Sequence, residues 1–106
     1  MEKSIINQTD FDITVTLYVA ELINNNFCIK ETHTIDIMPN GHKDIIYGNV
    51  VNAFISGIEV CADMNGTVLR TSQKSGSVES PFSREVNQKH LIEVKGLRSL
   101  DIELVS

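Results

Sequence analysis

Phe11-Asp12-Ile13-Thr14-Val15-Thr16-Leu17-Tyr18-Val19 alternates apolar and polar side chains along its whole length. Phe11, Ile13, Val15, Leu17 and Val19 share one parity; Asp12, Thr14, Thr16 and Tyr18 share the other. Successive side chains of a strand project to opposite faces. A period of two therefore describes a strand with one face on a core and one in water. The pattern sets a fold class and says little about chemistry.

Residues 3–8 read as a short first strand, ended by Thr9-Asp10. After the alternating strand, Asn24-Asn25-Asn26 is a turn, since Asn tolerates positive φ and bonds its own backbone. From Phe27 to Met38, Phe27, Ile29, His33, Ile35 and Ile37 share one parity, with Lys30, Thr32, Thr34 and Asp36 on the other. Glu31 interrupts the apolar face, which predicts one bulged strand or two short ones. Pro39-Asn40-Gly41 turns the chain, and His42 to Tyr47 returns.

Val50, Val51, Phe54, Ile55 and Ile58 sit at helical spacing, whereas Ile58 to Ala62 alternates. The reading is a loop or one helical turn at 49–53 leading into a strand at 54–63. Asn65-Gly66 signals a type I′ hairpin, which needs positive φ at both central positions, with a returning strand from Thr67 to Thr71. Residues 72–89 are polar, small and aperiodic through Pro81, and read as a long connecting loop, expected to be mobile. His90 to Lys95 and Ser99 to Val105 close the chain as strands, joined through Gly96-Leu97-Arg98.

Seven or eight short strands between turns predict a single-domain, all-β, antiparallel β-sandwich. Across the whole chain the pattern resembles immunoglobulin-like sandwiches, although without tryptophan the Cys…Trp…Cys signature is missing. An eight-stranded jelly roll or barrel is the runner-up. The expected core is Phe11, Ile13, Val15, Leu17, Ile35, Ile37, Val60, Ile92, Leu100, Ile102 and Leu104.

At 106 residues the chain is expected to form one domain with a core that needs no metal or disulfide staple. Its net charge of −5 and nine scattered basic residues argue against a nucleic-acid partner. No run approaches the roughly 18 apolar residues of a spanning helix, so no membrane insertion is expected. The first residues carry no apolar leader, which places the protein in the cytoplasm if residue 1 is the native start and outside the cell if a leader was removed. Cys28 and Cys61 are too few for a disulfide framework, and a bridge between them would need an oxidising compartment.

No His or Cys pair stands at a zinc-ligand spacing, and serine occurs in no GxSxG elbow. His33 reads as a hydrogen-bonded core or boundary residue. Asp63-Met64-Asn65-Gly66 is similar to the opening of a calcium loop but lacks the closing acid; Asp10 and Asp12 are the other carboxylates that a loop-end site would use. Asn7-Gln8-Thr9 and Asn65-Gly66-Thr67 fit the glycosylation sequon. Neither catalytic residues nor a cofactor are expected.

The function expected is therefore a non-enzymatic binding or interaction module with a protein partner, and homo-oligomerisation through edge strands as a further route. The alternative is a secreted or surface domain recognising glycan or host protein, with calcium at the loop ends. Tyr18, on the polar face of the strongest strand, is one candidate contact. Ser77, Glu79, Pro81 and Phe82 in the polar stretch are the others.

Overall fold

The computed structural model describes residues 2–24, 26–48, 54–64, 66–75, 80–96 and 100–105, without the side chains of Met64 and of 100–105. In chain order the elements are β1 (Glu2–Asn7), β2 (Ile13–Ile23), β3 (Asn26–Ile37), β4 (His42–Ile46), β5 (Phe54–Met64), β6 (Thr67–Lys74), α1 (Pro81–Gln88), β7 (Leu91–Gly96) and β8 (Leu100–Val105). They form two four-stranded sheets, ordered β3-β2-β5-β6 and β4-β1-β7-β8. The fold is an all-β sandwich.

The first sheet is antiparallel throughout. In the second, the expectation of a purely antiparallel sandwich is corrected, because β1 and β7 run parallel, with Ser4 opposite Leu91 and Asn7 opposite Val94. A parallel pair cannot be joined by a tight turn, so it brings together segments distant in sequence. Here it joins residues 4–7 to residues 91–94.

The alternation in β2 does what its period requires: Ile13, Val15, Leu17 and Val19 are buried against Ile5, Ile58, Val60, Ile92 and Val94. Each such side chain contributes roughly 1.5–3 kcal/mol on burial. Phe11, Ile35, Leu69 and Phe82 pack on the margin of this core. Asn7, fully buried, ties the layers: its Nδ2 donates to Phe11 O, Ile37 O and Met38 O, and its Oδ1 accepts from Thr9. A side chain so engaged is no accessible glycosylation acceptor. Lys3 is buried too, its Nζ donating to Lys89 O beyond α1, and burial pushes its pKa below the ordinary lysine value.

The break expected at Glu31 is a bulge within one strand. Val19 faces Glu31 but Ala20 faces Ile29, so Lys30 is the extra residue of β3. On the other side of β2, Tyr18 faces Gly57 and Val19 faces Ile55, making Ser56 the extra residue of β5. Two bulges thus flank β2 at one level, and they overturn the face assignment for residues before Glu31. Phe27 faces Leu22 and Ile29 faces Ala20, positions of Tyr18's parity. Both lie on the outer face with Tyr18, opposite to Ile35 and Ile37.

β5 and β6 meet in a two-residue connection, Met64 facing Thr67, with Gly66 at φ 90° as the hairpin reading requires. Asn65, the other half of the type I′ assignment, and residues 49–53 lie outside the described residues. The reading of 72–89 as one long loop is corrected: β6 continues to Lys74 and α1 occupies 81–88. Ser80 caps the helix, its Oγ accepting from Ser83 N at 3.1 Å, and Pro81 takes the first helical position, where its missing N–H costs nothing. The helix sinks Ser83 and Val86 inward.

Candidate functional site: an apolar groove on the outer face

β6 ends at Lys74 opposite Gly57, whereas β5 continues to Phe54. Past that point β5 needs other partners for its backbone. Ser75 N donates to Ser56 O at 2.8 Å. Asn87 of α1 then supplies both halves of a strand partner: its Oδ1 accepts from Ile55 N at 2.7 Å and its Nδ2 donates to Ile55 O at 3.1 Å. The same Nδ2 donates to Ser83 O at 2.9 Å, which locks the amide to its own helix. The helix stands where β6 stops.

The outer face is left open at this end. A groove of about 270 Å³ is lined by Tyr18, Phe27, Ile29, Ser56, Gly57, Lys74 and Ser75. Ile29 is 52% exposed. Phe27 packs its ring against Phe54 with centroids 5.6 Å apart. Lys74 Nζ lies 4.6 Å from the centroid of the Tyr18 ring, a cation–π contact. Gly57 forms the floor, and a Cβ there would come within 2.9 Å of Lys74 Cγ and 3.1 Å of Tyr18 Cδ2. The missing side chain lets ring and ammonium stem meet across the strand.

Of the contacts expected from the sequence, the structure brings Tyr18 to the roots of the polar stretch. Lys74 and Ser75 lead out of the groove, and Ser80 Oγ donates to Ser75 Oγ at 2.6 Å, fixing the far root beside the near one. Pro81 is exposed at the start of α1, while Phe82 is half-buried and packs on the core, plugging the helix down. Ser77 and Glu79 lie outside the described residues. Phe27, Ile29, Gly57 and Lys74 went unread in the sequence. The parity break at Glu31 was the available signal that the residues before it change face.

The other constellations stay apart. Cys28 and Cys61 are free, the first exposed and the second half-buried. Arg70 Nε lies 3.2 Å from Cys61 Sγ and 3.7 Å from Glu59 Oε1 on the outer face, and the thiol and then the carboxylate hold the guanidinium further toward its charged form. His33 sits on the core margin with Nε2 3.3 Å from Glu31 Oε2. Asp10, Asp12 and Asp63 line one depression of about 420 Å³ at the end of the sandwich, but Asp63 Oδ1 is turned to its own hairpin, accepting from Gly66 N at 2.9 Å. Among the described residues no group of three or more His, Cys, Asp or Glu side chains is placed to hold a metal ion, and no helix is long and apolar enough to cross a membrane. No protein-family model, curated protein or solved structure matches the chain.

Proposed function

We propose that the chain is a non-enzymatic binding module, built on an immunoglobulin-like sandwich, that contacts a partner protein through the groove at Tyr18. The observation that carries this reading is a trough walled by Phe27, Ile29 and the Tyr18 ring on a largely polar sheet face, with Ile29 half in water. Elsewhere on that face Thr14 bonds Asp36 and Thr16 meets Thr34, as befits a solvated surface. At about 270 Å³ the groove is smaller than the roughly 300–1,000 Å³ of sites that enclose a small molecule, and suits one or two inserted side chains. The immunoglobulin-like description draws on the central β2–β5 pairing, which is the second-to-fifth strand pairing of that architecture; the β2–β3 hairpin within the same sheet departs from it.

Self-association through edge strands is the weaker route. β3 carries a lysine-bearing bulge at Lys30 and turns Glu31 and His33 toward the core side, devices that discourage edge pairing. The alternative of a glycan- or host-protein-binding domain with calcium at the loop ends draws on the Asp10, Asp12 and Asp63 depression. Calcium titration of chelator-treated protein, followed by thermal unfolding, separates the two: a rise in melting temperature at millimolar calcium favours that alternative.

The groove itself is tested by affinity capture with three baits: the parent, Tyr18→Ala and Ile29→Ser. Both variants change outer-face positions and should melt close to the parent. Loss of the same captured protein by both supports the groove as the contact. Undiminished capture by both refutes it.

A further inference from the structure

Resting on the reading of the groove as a docking surface, we infer that it selects a partner segment presenting an apolar side chain beside a carboxylate. Phe27, Ile29 and the ring of Tyr18 offer carbon surface to an incoming group, beside the polar Ser56 and Ser75. The groove also carries Lys74, whose Nζ lies over the Tyr18 ring. Three other cations of the sheets stand beside acids, Lys30 by Glu21 at 4.0 Å, Arg70 by Glu59 at 3.7 Å and Lys95 by Glu93 at 3.3 Å, while Lys3 donates to Lys89 O. Among the described residues no carboxylate stands within ion-pair distance of Lys74.

An ammonium held over an aromatic face keeps its outward N–H donors free for an acceptor. An inserted apolar side chain would displace water from the groove and lower the local dielectric, so a carboxylate arriving with it would pair with Lys74 more strongly than in bulk water. Gly57 fixes the geometry: because the floor has no Cβ, the stem of Lys74 crosses directly to Tyr18 and holds the charge at the rim of the apolar trough. The pattern favoured is thus an apolar anchor with an Asp or Glu next to it. On a chain of net charge −5, a cation with no carboxylate partner among the described residues, set beside an apolar trough, is a local point of attraction for an acid.

The test is an amide-resolved NMR titration of the full chain with two capped dipeptides of near-equal shape, N-acetyl-Phe-Glu-amide and N-acetyl-Phe-Gln-amide. The expected result is that the Glu probe shifts the amides of Tyr18, Gly57 and Lys74 and binds about three- to fivefold more tightly than the Gln probe at low salt, the range of a partly exposed ion pair. The advantage should vanish in Lys74→Met, which keeps an apolar stem over the ring, and at about 1 M salt, where charges are screened within a few ångströms. Equal binding of both probes at the groove overturns the selection of a carboxylate and leaves the docking surface standing. No shift at these amides with either probe overturns both.

Discussion

Replacing Asn87 should unfasten α1 from the end of β5, by an amount the hydrogen bonds allow to be worked out. Asn87→Ala strands two main-chain groups of Ile55, a fully buried residue, and removes a third bond to Ser83 O. A buried donor or acceptor left without a partner costs about 1–3 kcal/mol. Asn87 is itself half-exposed, so water reaches the gap and the low end applies, about 2–3 kcal/mol for the pair. Alanine's better helix propensity returns up to about 0.7 kcal/mol, for a net loss near 2 kcal/mol. With a urea slope of about 1–3 kcal/mol per molar, the midpoint should fall by about 1 M. Asn87→Asp is the sharper variant. One carboxylate oxygen still accepts from Ile55 N, but the other faces Ile55 O and Ser83 O with nothing to donate, so at pH 7 it should be at least as damaging as alanine. That crowding raises the folded-state pKa of the introduced carboxyl. The folded chain then binds more protons than the unfolded one, and stability lost at neutral pH returns as pH falls through the folded pKa. Urea melts at pH 7 and pH 4, with hydrogen exchange at the Ile55 amide, measure all of this. Parent-like stability of Asn87→Asp at pH 7, or unchanged exchange at Ile55 in Asn87→Ala, would refute the role given to this side chain.

Ser83→Ala should be neutral to stabilising by about 0.5–1 kcal/mol, because the Ser83 hydroxyl is buried without a hydrogen-bond partner and alanine favours the helix; a clear loss in urea melts would show that the hydroxyl is engaged. Gly66→Val should destabilise by about 1–3 kcal/mol through backbone strain alone, since φ is 90° and no atom lies within 4 Å of an added Cβ; an unchanged midpoint would contradict the turn geometry. Tyr47, 4% exposed, has its pKa raised by burial, so above pH 10 the unfolded chain loses this proton first and stability falls as pH rises. The difference in stability between the parent and Tyr47→Phe, followed from pH 9 to 11, should show that fall and isolate it from Lys3, whose lowered pKa acts in the opposite sense. A flat difference would mean that the phenol ionises equally in both states.

β2 was legible because its period of two is unbroken and one face is wholly buried; Ile13, Val15 and Leu17 carry the signal with nothing competing. The bulge at Lys30 was legible as an interruption, but not its effect, since a bulge inverts every later face and Phe27 and Ile29 look core-facing until their partners are known. With that inversion went the groove. The helix was missed because eight residues hold little more than two turns, and polar Arg84, Asn87 and Gln88 mask the inward Val86. Ser80-Pro81 was its one local mark, a capping hydroxyl before a proline at the first helical position. Tyr18 could be singled out by its place on a polar face, while Lys74 depended on where β6 stops opposite Gly57, a matter of pairing between strands rather than of local sequence.

The parallel pairing of β1 with β7 also has a bearing on synthesis. β2 with β3, and β5 with β6, are neighbours in sequence and can pair as soon as they are made, since short loops close quickly. β1 leaves the ribosome before any of them, yet its place is between β4 and a strand that begins only at Leu91. Until then Ile5 and the buried end of Asn7 lack half their surroundings, and an incompletely translated chain exposes one flank of β1 to whatever strand is at hand. β1 is made well before the β7 strand that secures it, so a chain truncated before Leu91 should hold its first sheet and aggregate through its second.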